Sequence, residues 1–114
     1  MLTIEALQAM GVKTQEGLAR CLNNEAFYFR MIKLAAEDAN FEKLRTALEA
    51  GDLDAAFEAA LALKGVTGNL ALTPIYEPVQ VVTELLRSRT ETDYSADLTQ
   101  IEAALADLRA LCAD

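Results

Sequence analysis

An all-α bundle is the fold this sequence predicts, and three observations carry the prediction. Ala and Leu dominate an apolar fraction of 53%, and both are strong helix formers. Only two prolines and five glycines interrupt the 114 residues. Apolar residues recur at three- and four-residue steps, and nowhere do they alternate with polar ones as a half-buried strand requires. The length suits one domain, residues 1–114, with one hydrophobic core. Trp is absent and aromatics are sparse, so that core must be mainly aliphatic.

Element by element, Thr3 is placed to cap a short helix through Met10, with Gly11 as its stop. Thr14 opens a second short helix that puts Leu18, Cys21 and Leu22 on one side. Asn23 and Asn24 offer an N-cap to a third, whose inward face is expected to be Phe27, Met31, Leu34 and Ala35, with Tyr28 and Ile32 on the flank. Asn40 is the expected cap of a fourth helix carrying Leu44, Ala47 and Leu48, which Gly51 ends. Asp52 caps a long helix over Leu53–Leu72 with a core stripe of Leu53, Ala56, Ala60, Leu63, Thr67, Leu70 and Ala71. Thr73-Pro74 reads as an N-cap followed by proline at the first helical position, and Ile75, Val79, Val82 and Leu86 carry that helix. Pro78 lies within its opening and predicts a kink or a late start. Ser88 to Tyr94 is polar and reads as a loop; Ser95 begins the last helix, with Leu98, Ile101, Leu105, Leu108 and Cys112 inward. Short links between long amphipathic helices predict antiparallel neighbours: an up-down four-helix bundle with short accessory N-terminal helices.

Charge and composition narrow the function. The net charge is −8, which argues against nucleic acid, whose binding needs clustered Lys and Arg, and against an anionic membrane surface. Its simplest consequence is solubility. Cys21 and Cys112 form no CxxC pair, and without His they make no usual structural zinc site. Two reduced thiols are expected rather than a disulfide. The opening Met1-Leu2-Thr3-Ile4-Glu5 has no basic n-region, and no apolar run approaches transmembrane length. A cytoplasmic monomer is the expectation. Acidic pairs such as Glu37-Asp38, Glu5-Glu16 and Asp52-Asp54 lack supporting His or calcium-loop spacing and read as solvated faces and caps. No phosphate loop and no nucleophile–base pair appears, so neither a cofactor, a metal nor an enzymatic activity is expected.

The informative segment is the fifth helix. At about 100° per residue, Leu61 falls roughly 120° from the centre of the core stripe, toward solvent. Gly65 and Gly68 occupy the same outer sector one and two turns on, and Lys64 lies between that sector and the core edge. Each mid-helix glycine costs about 1 kcal/mol relative to alanine. The pair therefore points either to close approach of something to the backbone or to the packing of a neighbouring helix. Lys43 and Arg45, ahead of this helix, read either as a basic rim shared with Lys64 or as ordinary surface charges.

The run Leu61-Ala62-Leu63-Lys64-Gly65-Val66-Thr67-Gly68-Asn69-Leu70 resembles the signature of histidine-containing phosphotransfer (HPt) domains, roughly H-x-L-K-G-x-x-x-N-L, in every listed element but the first. Asn24-Glu25-Ala26-Phe27-Tyr28 resembles the family's entry into a core helix, and Leu44-Arg45-Thr46-Ala47-Leu48 through Gly51-Asp52 resembles its approach to the histidine helix. The similarity covers about residues 11–87, and K-G-x-x-x-N-L is its most specific part. The resemblance implies a bundle of the HPt type that works between receiver domains of two-component pathways. It places Leu61 at the phosphoacceptor position, Lys64 at the lysine that steadies the phosphoryl group, and Gly65 and Gly68 where a partner needs clearance.

The first position decides the chemistry. Phosphotransfer needs an imidazole nitrogen lone pair to attack phosphorus and later to leave it. Leucine has none, and the chain contains no His at all. Thr67 falls on the core stripe without a base beside it. The expectation is an inactive member: a pseudo-phosphotransfer module that docks on a response-regulator receiver domain or hybrid sensor kinase through Leu61, Lys64, Gly65 and Gly68. The alternative is a drifted scaffold whose exposed leucine serves a homodimer or other protein contact outside phosphorelay.

Overall fold

The computed structural model describes residues 1–113 and contains seven helices among them: α1 (Ile4–Ala9), α2 (Thr14–Arg20), α3 (Glu25–Ala36), α4 (Asn40–Ala50), α5 (Leu53–Asn69), α6 (Thr73–Arg87) and α7 (Ser95–Cys112). No strand occurs among the described residues. Consecutive long helices pack on each other, α4 on α5, α5 on α6 and α6 on α7. Arg45 Nε lies 3.8 Å from Glu102 Oε2, linking α4 to α7 and closing the ring. The result is an up-down four-helix bundle with accessory helices at its N-terminal side, elongated at 40 × 24 × 20 Å.

The core is aliphatic. Leu44, Leu63, Ile75, Val79, Val82, Leu86, Ile101 and Leu108 are fully or almost fully buried. The stripe expected for α5 is the face that packs: Ala56, Ala60, Leu63 and Thr67 have no measurable exposure. Thr67 spends its hydroxyl within the helix, donating to the Leu63 carbonyl at 2.7 Å. The expected caps at Thr3, Asn24 and Asp52 form, each side-chain oxygen accepting a backbone N–H at 3.0–3.1 Å. Gly51 ends α4 with a φ of +71°, the left-handed conformation glycine takes without steric cost.

Several local expectations are corrected. On α3 the buried face is Tyr28, Ile32, Ala35 and Ala36; Phe27 and Met31 are only half-buried and Leu34 is 61% exposed. The apolar arc of that helix is broad, so its period leaves the inward face loosely defined, and packing against α2 and α7 selects it. Leu22 does not join Leu18 and Cys21. It is 86% exposed, because Leu22 and Asn23 both take left-handed φ values, +60° and +54°, and carry the side chain outward. Asn40 does not cap α4; Asp38 does the work, accepting from the Asn40 backbone N at 2.8 Å and from its side-chain amide at 2.9 Å. Thr73 likewise provides no cap: its hydroxyl donates to the Ala71 carbonyl. Pro78 delays nothing, since α6 already begins at Thr73 and runs through it with the ring buried.

Besides their packing on α7, the accessory helices are tied to the α5–α6 turn. Tyr28 Oη donates to the Leu70 carbonyl at 2.9 Å, and the Lys13 backbone N to the Ala71 carbonyl at 3.2 Å. Burial, with a smaller contribution from neighbouring Cys21, pushes the Tyr28 phenol up to about 12, so it remains a donor at physiological pH. Gly17 on α2 admits the Tyr28 ring; a Cβ there would overlap the phenol. Cys21 is buried and Cys112 half-buried. No described helix is long and apolar enough to cross a membrane.

Candidate functional site

Because Ala56, Ala60, Leu63 and Thr67 are held in the core, the opposite side of α5 must face out. Leu61 is 43% exposed there. It stands at a surface groove of about 680 Å³, and Lys64, Gly65 and Gly68 line the same groove. All four residues singled out from the sequence therefore meet in one place. The groove has a second wall that sequence reasoning missed: Lys13 and Arg20 from the N-terminal side, and Tyr76 and Glu77 from α6. Arg20 is set in position by donating to the Gly68 carbonyl at the C-terminal end of α5, where the helix dipole favours a cation.

The two glycines differ. Nothing lies within 4 Å of the place a Cβ would take at Gly65, so that stretch of backbone is open to solvent. At Gly68 the same place is 2.9 Å from the Tyr76 ring, so α6 itself uses the clearance. Of the two explanations for mid-helix glycine, close approach from outside fits Gly65, and packing of a neighbouring helix fits Gly68.

Lys64 is not pointing free at position 61. Its Nζ lies 3.4 Å from Glu84 Oε2 on α6, and Glu84 is held in turn by Arg87 through two hydrogen bonds of 3.2 and 3.3 Å. Arg87, and to a lesser degree Lys64, keep the Glu84 carboxyl below the usual carboxylate range. The pairing is therefore present at neutral pH and is lost as acid protonates Glu84. One turn before Leu61, the Phe57 ring carries two guanidinium groups, Arg87 at 5.2 Å and Arg89 at 4.7 Å from its centroid. Arg89 also pairs with Asp54 at 2.6 Å. Lys43 and Arg45 do not form the basic rim: Arg45 turns to Glu42 and Glu102, and neither residue lines the groove. Long side chains on different helices supply the rim instead, and their convergence has no signature within one segment of sequence.

The Hpt domain family model matches residues 34–111, more than half of the chain. The chain belongs to the Hpt domain family. The matched span opens near the end of α3 and takes in α4, α5 and α6 and nearly all of α7, so the four-helix unit carries the membership. It reaches further toward the C-terminus than the resemblance read from the sequence, and leaves Asn24–Tyr28 outside. No curated protein and no solved structure is significantly similar to the chain. Hpt domains are phosphotransfer modules of phosphorelay signalling, working with response regulators and kinases rather than as catalytic enzymes. In this Hpt domain the position one turn before the lysine holds Leu61, and no imidazole exists in the chain to replace it.

Proposed function

We propose that this Hpt domain is a pseudo-phosphotransfer module, a cytoplasmic monomer that docks on a receiver domain without accepting phosphate. The observation that carries the proposal is the groove: Leu61, Lys64 and Gly65 sit together at its surface with the geometry for contact but with no nucleophile. Exposed Leu61 offers an apolar anchor, and open backbone at Gly65 allows a partner helix to come near. Lys64, Arg87 and Arg20 offer cations to an acidic cleft. A protein built this way competes with active phosphotransfer proteins for their receivers and damps a relay.

The test is a binding screen against the receiver domains of the source organism, with Leu61→Asp as the paired variant. The natural sequence is expected to bind at least one receiver. Leu61→Asp is expected to weaken that binding at least about tenfold, as loss of an apolar anchor plus a like charge against an acidic cleft should. Absence of binding to every receiver, together with self-association that Leu61→Asp abolishes, would instead establish the scaffold alternative.

Gly65 gives a second check with opposite signs for stability and function. Gly65→Ala adds a Cβ into open space, so the helix should gain about 0.5–1 kcal/mol. The same methyl stands where the partner backbone would approach, so receiver binding should weaken. Thermal unfolding and titration of one preparation measure both; a stabilised variant that binds normally would remove Gly65 from the docking surface.

A further inference from the structure

The ion pairs beside Leu61 have a competition built into them. Lys64, which lines the groove, and Arg87, at the C-terminal end of α6, are both held by one carboxylate, Glu84. This cluster is exposed: the Glu84 side chain is 51% accessible, so its partners can be exchanged at small cost. Arg87 has a second support, the Phe57 ring under its guanidinium, and would keep its place if Glu84 let go. Lys64 sits one helical turn from Leu61, and its four-carbon stem can swing its ammonium between α6 and a surface above α5.

We propose that Glu84 is an intramolecular stand-in for the partner's carboxylate, holding Lys64 and Arg87 in the free protein and surrendering them when an acidic receiver surface docks over Leu61. This rests on the docking proposed above and adds what limits its strength. Each cation must leave Glu84 before it meets the partner, and Glu84 itself presents a negative charge to an acidic cleft. The free protein is therefore self-neutralised at the site, and a partner must outcompete Glu84 to bind. A weakly acidic surface fails to do so, which makes Glu84 a selector for strongly acidic ones.

The experiment uses the receiver domain that binds most tightly in the screen, titrated with the natural sequence, Glu84→Gln, Glu77→Gln, Lys64→Ala and the Lys64→Ala/Glu84→Gln double variant. Glu84→Gln keeps the side-chain shape and removes the charge. It is expected to tighten binding about three- to tenfold, the combined size of two exposed ion pairs, with the gain shrinking as salt is raised. Glu77→Gln removes an equal charge from the groove wall and is expected to gain clearly less. In the Lys64→Ala background, Glu84→Gln should lose about half of its effect, because one of the two released cations is gone while Arg87 remains. Unchanged or weaker binding by Glu84→Gln overturns the inference while docking stands, as does an equal gain from Glu77→Gln, which would reduce the effect to net charge. If neither the natural sequence nor Glu84→Gln binds any receiver, docking and inference fall together.

Discussion

Leu61→His is expected to take phosphate from at least one phosphorylated receiver, whereas the natural sequence takes none. The substitution puts an imidazole at a 43% exposed position on the rim of the groove, one turn from Lys64. An imidazole nitrogen attacks phosphorus, the bond from phosphorus to the receiver's aspartyl oxygen breaks, and that carboxylate leaves with the bonding pair. The imidazole N–H proton passes to solvent. Stability should change by less than about 0.5 kcal/mol, since the site is not core, and Gly65 and its open backbone are untouched. Lys64→Ala in this background should slow transfer by about tenfold, through loss of a cation near the developing charge. Mass spectrometry under neutral conditions, followed by acid treatment, distinguishes the labile phosphoramidate. A phosphoramidate on the natural sequence would contradict the inventory on which the inactive assignment rests. A folded Leu61→His protein that no receiver phosphorylates would show that the docking surface has been lost along with the acceptor.

Gly17→Ala is expected to destabilise the fold by about 1–3 kcal/mol, the cost of overpacking a filled site. The added Cβ would overlap the Tyr28 phenol, and Tyr28 is fully buried with its hydroxyl committed to the Leu70 carbonyl. The ring cannot retreat without giving up that bond or moving α2 off α3. For a domain of this size the loss corresponds to a fall in Tm of roughly 5–20 °C, measurable by calorimetry. The contrast with Gly65→Ala makes the test specific. The same substitution, in a helix both times, should raise Tm at Gly65 and lower it at Gly17. Helix propensity alone predicts a gain at both positions; only the neighbour across the helix interface reverses the sign.

That reversal marks the division between local and tertiary information in this chain. Period-3.6 patterning determined α5 and its orientation, because one side of the helix is a continuous Ala and Leu stripe and the other is broken by Leu61, Lys64, Gly65 and Gly68. The same pattern, with Thr3, Asn24, Asp52 and Gly51 at the ends, determined most helix limits. The K-G-x-x-x-N-L run pointed to the family, and the absence of histidine from the sequence carried the expectation of an inactive member. On α3 the pattern failed, since Phe27, Tyr28, Phe29, Met31, Ile32 and Leu34 spread apolar groups over a broad arc, and packing against α2 and α7 chooses Tyr28 and Ile32 for the core. Leu22 went outward because two left-handed residues turned the chain, and no periodicity encodes such a turn at non-glycine residues. The surroundings of the strip were likewise decided by the tertiary structure: the Arg20 wall, Tyr76 over Gly68, and Glu84 holding Lys64 and Arg87. Sequence periodicity reports which face of one helix is apolar. It carries no information about which side chain of another helix arrives above that face, because that depends on crossing and register, which packing of the whole core sets.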